Sequence, residues 1–145
     1  MNIILNEHKE KLNMVFTIRR NYLSFVSTTT AKQITVDFPT KAPVYSIYHR
    51  PEINLIVVSL VDYTDNTNNE FCNVYGVDDR NGEIVWRIKE GVQTKSNNLC
   101  RTPDYHVLIE DPNDDNLYCL DSWNSKWKID LKTGDVEQVE AGNGH

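Results

Sequence analysis

The residues whose type and spacing could do chemistry are histidines and carboxylates. His106 lies in the run Asp104-Tyr-His-Val-Leu-Ile-Glu110, where a strand would alternate it with Tyr105 and Val107 and leave two carboxylates nearby. A histidine beside a carboxylate is the minimum for general acid–base work in a small hydrolase or lyase. The other histidines, His8, His49 and His145, are scattered, and no H-x-x-x-H or H-E-x-x-H pair offers a zinc site. No G-x-S-x-G elbow, P-loop or G-x-G-x-x-G occurs, and six glycines leave little for a phosphate cradle. The run Asp111-Pro-Asn-Asp-Asp-Asn116 supplies the oxygens that calcium takes but lacks the alternating spacing and distal glutamate of a calcium loop. Cys72, Cys100 and Cys119 form an odd set without C-x-x-C, which excludes a disulfide framework and a four-thiolate zinc site within one chain. Cys119, between Tyr118 and Leu120, reads as a small packed hydrophobe. The expectation is a protein without catalysis, cofactor or metal.

Charge is distributed unevenly. Residues 1 to 60 carry seven basic and four acidic groups, residues 61 to 145 eight basic and seventeen acidic, and the whole chain has a net charge of -6. That balance disfavours direct nucleic-acid binding and favours a basic protein partner. Two stretches hold acids and no Lys or Arg. Pro51 to Asp79 contains Glu52, Asp62, Asp65, Glu70, Asp78 and Asp79; Thr102 to Ser125 contains Asp104, Glu110, Asp111, Asp114, Asp115 and Asp121. Asp and Asn populate hairpin loops in any case, because they suit turns. Turn preference explains the acids more readily than it explains the missing bases. Tyr63, Phe71, Tyr105, Trp123 and Trp127 lie in or beside these stretches, and acids around aromatic anchors are the composition of a surface that docks a basic protein. Trp86 and Trp127 read as core residues of their hairpins, whereas Trp123, between Ser122 and Asn124, reads as a docking anchor.

The elements that must position these groups are strands. Val15–Ile18, Tyr22–Val26, Ile34–Phe38, Val44–Tyr48, Leu55–Val61, Val74–Val77, Ile84–Ile88, Val107–Ile109, Leu117–Leu120 and Trp127–Leu131 are short, β-branched or aromatic, and bounded by turn residues. Asn6 to Asn13 has helix propensity with Leu12 as its only apolar anchor, so a short helix or an exposed turn fits it equally. The class is all-β. With 145 residues the chain makes one domain, no run approaches the roughly 20 apolar residues of a membrane span, and the start turns polar after Leu5. Together with the unpaired cysteines this points to the cytoplasm.

One phrase recurs: aromatic, any residue, aliphatic, Asp, two residues, Asn or Thr, then Gly or Ser. It reads Tyr75-Gly-Val-Asp78-Asp-Arg-Asn-Gly82, Tyr118-Cys-Leu-Asp121-Ser-Trp-Asn-Ser125 and Trp127-Lys-Ile-Asp130-Leu-Lys-Thr-Gly134. Each copy encodes a strand and a turn, with the Asp side chain capping turn N–H groups and Asn-Gly, where present, supplying positive φ. A longer unit spans about 44–91 and again about 97–142. One register aligns Asp78 with Asp121; another aligns Pro51, Asp78 and Gly82 with Pro103, Asp130 and Gly134. In the first, Asp62 to Asp65 and Asp111 to Asp115 occupy equivalent loops projecting from one edge.

The segment NVYGVDDRNGEIVWRIKEG resembles the outer hairpin of a β-propeller blade of the quinoprotein or WD-repeat kind. That resemblance implies antiparallel, blade-like units. Blades take about 40 to 50 residues and rings about four or more of them, so the expectation is two small packed sheets, or several chains closing a ring. In size, acidity and lack of enzyme motifs the chain also resembles, in general character, the immunity proteins of bacterial polymorphic toxin systems. This resemblance implies an acidic protein that covers a basic toxin domain, a nuclease for example, through Asp62, Asp65, Glu70, Asp111, Asp114, Asp115 and Trp123. The alternatives from other classes are a self-associating β module and a small hydrolase or lyase using His106.

Overall fold

The computed structural model describes residues 14–91 and 105–142, and the backbone alone of residues 2–5. The expected N-terminal helix, His8, Cys100, Asp104 and His145 lie outside the described residues, as does the side chain of His106. The strands are β1 (Asn2–Leu5), β2 (Thr17–Arg19), β3 (Tyr22–Val26), β4 (Gln33–Asp37), β5 (Val44–Arg50), β6 (Leu55–Leu60), β7 (Val74–Asp78), β8 (Ile84–Arg87), β9 (Tyr105–Glu110), β10 (Leu117–Asp121), β11 (Lys126–Ile129) and β12 (Val136–Glu140). The protein is all-β, and its described strands form three sheets.

Two of these are the expected meanders. β5-β6-β7-β8 run in sequence order and accept β1 alongside β5 as a parallel fifth strand; β9 to β12 form the second. The third sheet, β2-β3-β4, adds a layer to the two expected. The layering explains the apolar pattern. Every residue of β6 and β7 is buried, so LIVVSL and VYGVD read as continuous runs because layers cover both faces. Ile56, Val58, Leu60, Tyr75 and Val77 pack with Leu23, Phe25 and Val36 of the small sheet. Leu55, Val57 and Val74 turn the other way, onto Leu108, Leu117, Cys119, Trp127 and Ile129. The central sheet therefore sits between two cores. Trp127 is core, as its hairpin suggested, and Cys119 is fully buried, its thiol pushed well up by desolvation.

Two turns share one geometry. Gly82 N donates to Asp78 O and Gly134 N to Asp130 O, both at 2.8 Å; Asp78 N meets Glu83 O and Asp130 N meets Asp135 O, again at 2.8 Å. Gly82 and Gly134 have φ of 77 and 78°, a region where glycine avoids the Cβ penalty. The Asp121–Ser125 turn is one residue shorter and uses Asn124 at φ 63°. In all three the aspartate Oδ1 caps the N–H two residues on, at Arg80, Trp123 and Lys132. Asp78 ends the third strand of its meander and Asp130 directly follows the third strand of the other.

The layers are joined by specific polar contacts. Asp79, 0% exposed, places Oδ2 2.9 Å from His49 Nε2 and accepts Thr28 Oγ1 at 3.0 Å through Oδ1. Its carbonyl accepts Thr28 N, so the β7–β8 turn holds the β3–β4 loop. On the opposite side, Trp86 Nε1 donates to Leu131 O at 2.8 Å and Lys89 N to Gly134 O at 2.9 Å. Asn73 spans the same two layers, donating to Leu60 O and Tyr105 O and accepting Tyr105 N. Among the described residues no helix is long and apolar enough to cross a membrane.

Candidate functional site

Strand direction decides which acidic groups share a surface. β5 and β6 are antiparallel, with Val44 beside Leu60 and Arg50 beside Leu55. β9 begins next to Asn73, and the loop after it reaches Arg50, whose Nη2 donates to Asp115 O at 2.7 Å. β9 therefore runs in the direction of β5 and against β6. The loops that leave β6 and β9 emerge at opposite ends of the sheets, separated by the length of a six-residue strand, about 17 Å. The expectation that Asp62–Asp65 and Asp111–Asp115 project from one edge is corrected: β9 opens its meander and corresponds to β5, not to β6.

At the Leu60 end the β6–β7 loop carries Asp62, Asp65 and Glu70. Asp62 is turned inward, only 8% exposed, and organises the loop. Its Oδ1 accepts Thr64 Oγ1, Thr64 N and Asp65 N, and its Oδ2 accepts Asn68 Nδ2. The Thr64 hydroxyl, then Asn68 and the backbone donors, hold this carboxyl far below the usual range. Asp65 is exposed and caps Thr67; Glu70 is exposed, accepts Lys41 N at 3.2 Å and lies 4.0 Å from Arg87. The same loop carries two exposed aromatics, Tyr63 at 55% just before Asp65 and Phe71 at 43% just after Glu70. Tyr63 meets the Tyr45 ring edge to face at 4.8 Å between centroids. Trp123 belongs to this same end, because Asp121 pairs with Tyr105, which is bonded to Asn73. It is half-buried in its turn.

At the Arg50 end Asp111, Asp114 and Asp115 form the β9–β10 loop. Asp111 Oδ1 caps Asn113 N; Asp114 caps Asn116 N and accepts the Tyr118 hydroxyl at 2.9 Å, with the Asn116 amide as the main cause of its lowered pKa. The oxygens of this calcium-like run thus serve as turn caps. Among the described residues no three His, Cys, Asp or Glu are grouped to hold a metal.

Beside this loop lies an open cleft of about 1060 Å³ between the β5–β6 turn, the β7–β8 hairpin and the β11–β12 hairpin. Leu55, Ile129 and Val136 are among its apolar lining residues, and Ile53 and Val85 stand half-exposed on it. Four of its charged lining residues form two pairs, Arg80 with Asp78 at 2.8 Å and Lys128 with Glu137 at 3.6 Å. Arg80 is the main cause of the lowered Asp78 pKa. Sequence reading missed this cleft because it is assembled from turns of two sheets, each ordinary alone.

The lowered carboxylates set an acid limit. Asp62, Asp78 and Asp114 have folded pKa values below their unfolded ones, so their stabilisation is complete above the unfolded value and is lost as pH falls through the folded ones. Urea midpoints are expected to fall below about pH 4, and Asp62→Asn is expected to flatten that fall.

No protein-family model matches this chain, and no curated protein matches it.

Proposed function

We propose that this chain is a non-catalytic binding protein that docks a basic protein domain on its Leu60 end, in the manner of an immunity protein neutralising a toxin. A basic nuclease domain is the expected kind of target, and the cytoplasm the expected compartment. One observation carries the reading: the β6–β7 loop leaves two aromatics, Tyr63 and Phe71, and two carboxylates, Asp65 and Glu70, exposed together, with Trp123 at the same end. Aromatic anchors supply contact area at low entropic cost, and surrounding acids steer a cationic surface. Asp62 contributes by fixing the loop, while Asp111, Asp114 and Asp115 face the opposite end and would contact a partner only outside this patch.

Neutralising Asp65 and Glu70 together, as Asp65→Asn with Glu70→Gln, is expected to slow association about tenfold at low salt and to weaken its salt dependence. Tyr63→Ala is expected to act on dissociation instead. Stopped-flow binding to the purified partner at several ionic strengths checks both. Unchanged rates in both variants would remove the patch from the interface.

A further inference from the structure

We infer that Asn81 is a site of spontaneous backbone-assisted deamidation that the folded β7–β8 hairpin holds in check. The chain contains two Asn-Gly pairs, Asn81-Gly82 and Asn143-Gly144. In such a pair the following residue has no side chain to shield its amide nitrogen, which can attack the asparagine carboxamide. The Gly82 nitrogen gives up its proton and bonds to Asn81 Cγ, the Cγ–Nδ2 bond breaks, and Nδ2 leaves as ammonia. The resulting cyclic imide is opened by water at either carbonyl, giving aspartate or an isoaspartate whose main chain runs through Cβ. No electrons are exchanged, and water is the only co-reactant.

The hairpin ties down both reacting groups. The Gly82 N–H is donated to Asp78 O at 2.8 Å, so removing its proton first requires breaking that bond. The carboxamide is held by its Oδ1, which accepts Glu83 N at 2.9 Å. The turn is anchored in turn by the Asp78 carboxylate, bonded to Arg80 N at 2.9 Å and to the Arg80 guanidinium. Gly82 itself packs against Ile34 of the small sheet and keeps a φ of 77°. Attack therefore needs an opening of the hairpin, and Asn81, exposed though it is, converts only during such openings.

Conversion is not silent. It places a new carboxylate beside the Asp78–Arg80 pair on the cleft rim, and the iso form lengthens the turn that carries Asp79.

Peptide mapping by mass spectrometry during incubation at neutral pH tests this, following the gain of one mass unit at Asn81 in the full-length protein. Folded protein is expected to convert at Asn81 at least roughly tenfold more slowly than the same chain in concentrated urea. Asp78→Ala, which removes the turn's cap while keeping the Asp78 carbonyl, is expected to raise the folded rate. Equal rates in folded and urea-unfolded protein, or no conversion at Asn81 in urea, would overturn the inference. So would an Asp78→Ala protein, shown to be folded, that converts at the native rate.

Discussion

Replacing Asp79 with alanine is expected to destabilise the protein by about 3–5 kcal/mol, the scale of removing one partner from a buried hydrogen-bonded pair. Asp79 and His49 are 0% and 1% exposed, and the carboxylate serves two elements at once. Without it His49 loses its 2.9 Å contact in the interior, where water does not compensate, and Thr28 Oγ1, at the exposed edge of the joint, loses its 3.0 Å acceptor. A domain of this size has a total stability of about 5–15 kcal/mol, so the variant is expected to approach unfolding at moderate temperature. The loss should concentrate in the small sheet, because the β3–β4 loop is held to the β7–β8 turn through Thr28 and Ser27. Urea unfolding reads the total, and amide exchange across residues 22–37 reads the location. The double change Asp79→Leu with His49→Leu is expected to cost less than Asp79→Ala, since it leaves no buried polar partner behind. If the single and double variants lose the same stability, the pair is not the joint described above.

Gly134→Val carries the second large effect, of about 3 kcal/mol. Gly134 sits at φ 78°, which a β-branched residue adopts at high cost. An added Cβ would also stand 2.7 Å from Trp86 Cε3 and 3.1 Å from the Arg87 carbonyl. Neither neighbour yields easily. The Trp86 indole is held by its bond to Leu131 O and lies flat on Gly76, and the Arg87 carbonyl belongs to a strand. The variant is expected to lift the β11–β12 hairpin off β8 and open the cleft. A red-shifted tryptophan emission together with a lowered urea midpoint would register that movement; a midpoint within error of the native one would refute it.

Strand positions were legible because the sequence alternates apolar and polar residues where one face is covered and runs apolar where both are. Tyr22–Val26 was placed to the residue, and β6 and β7 announced their double burial through Leu55–Val61 and Val74–Val77. β12 escaped because Val136-Glu-Gln-Val-Glu140 is an edge strand whose only fully covered side chain is the polar Gln138. β1 escaped because its support is a parallel pairing with β5, some forty residues away. The Asp-capped turns were also readable, since Asp and Asn-Gly act locally. What local reading cannot supply is the direction of one meander against the next. Aligning Pro51 with Pro103 matched β6 to β9 and merged two acidic loops that the strand directions separate. His49 and Asp79, thirty positions apart, likewise meet only through the layering.

Within the acidic patch, Asp62 shows how the same residue type serves two purposes. Its loop-capping role and the exposed position of Asp65 are indistinguishable by composition. The difference lies in Thr64 and Asn68, whose donors capture both oxygens of Asp62. Tyr63 and Phe71 are large side chains exposed on the same loop as Asp65 and Glu70, which is why the docking proposal rests on them.

The most direct test compares three baits from the source cells at low salt, each eluted with rising salt and quantified by mass spectrometry. The baits are the native chain, a Leu60-end variant carrying Tyr63→Ala, Asp65→Asn and Glu70→Gln, and an Arg50-end variant carrying Asp111→Asn, Asp114→Asn and Asp115→Asn. The expected result is a basic protein, stoichiometric with the native chain and the Arg50-end variant, that is lost from the Leu60-end variant. Retention by the Leu60-end variant with loss from the Arg50-end variant would place docking at the cleft end and contradict the proposed function of the Tyr63–Phe71 patch.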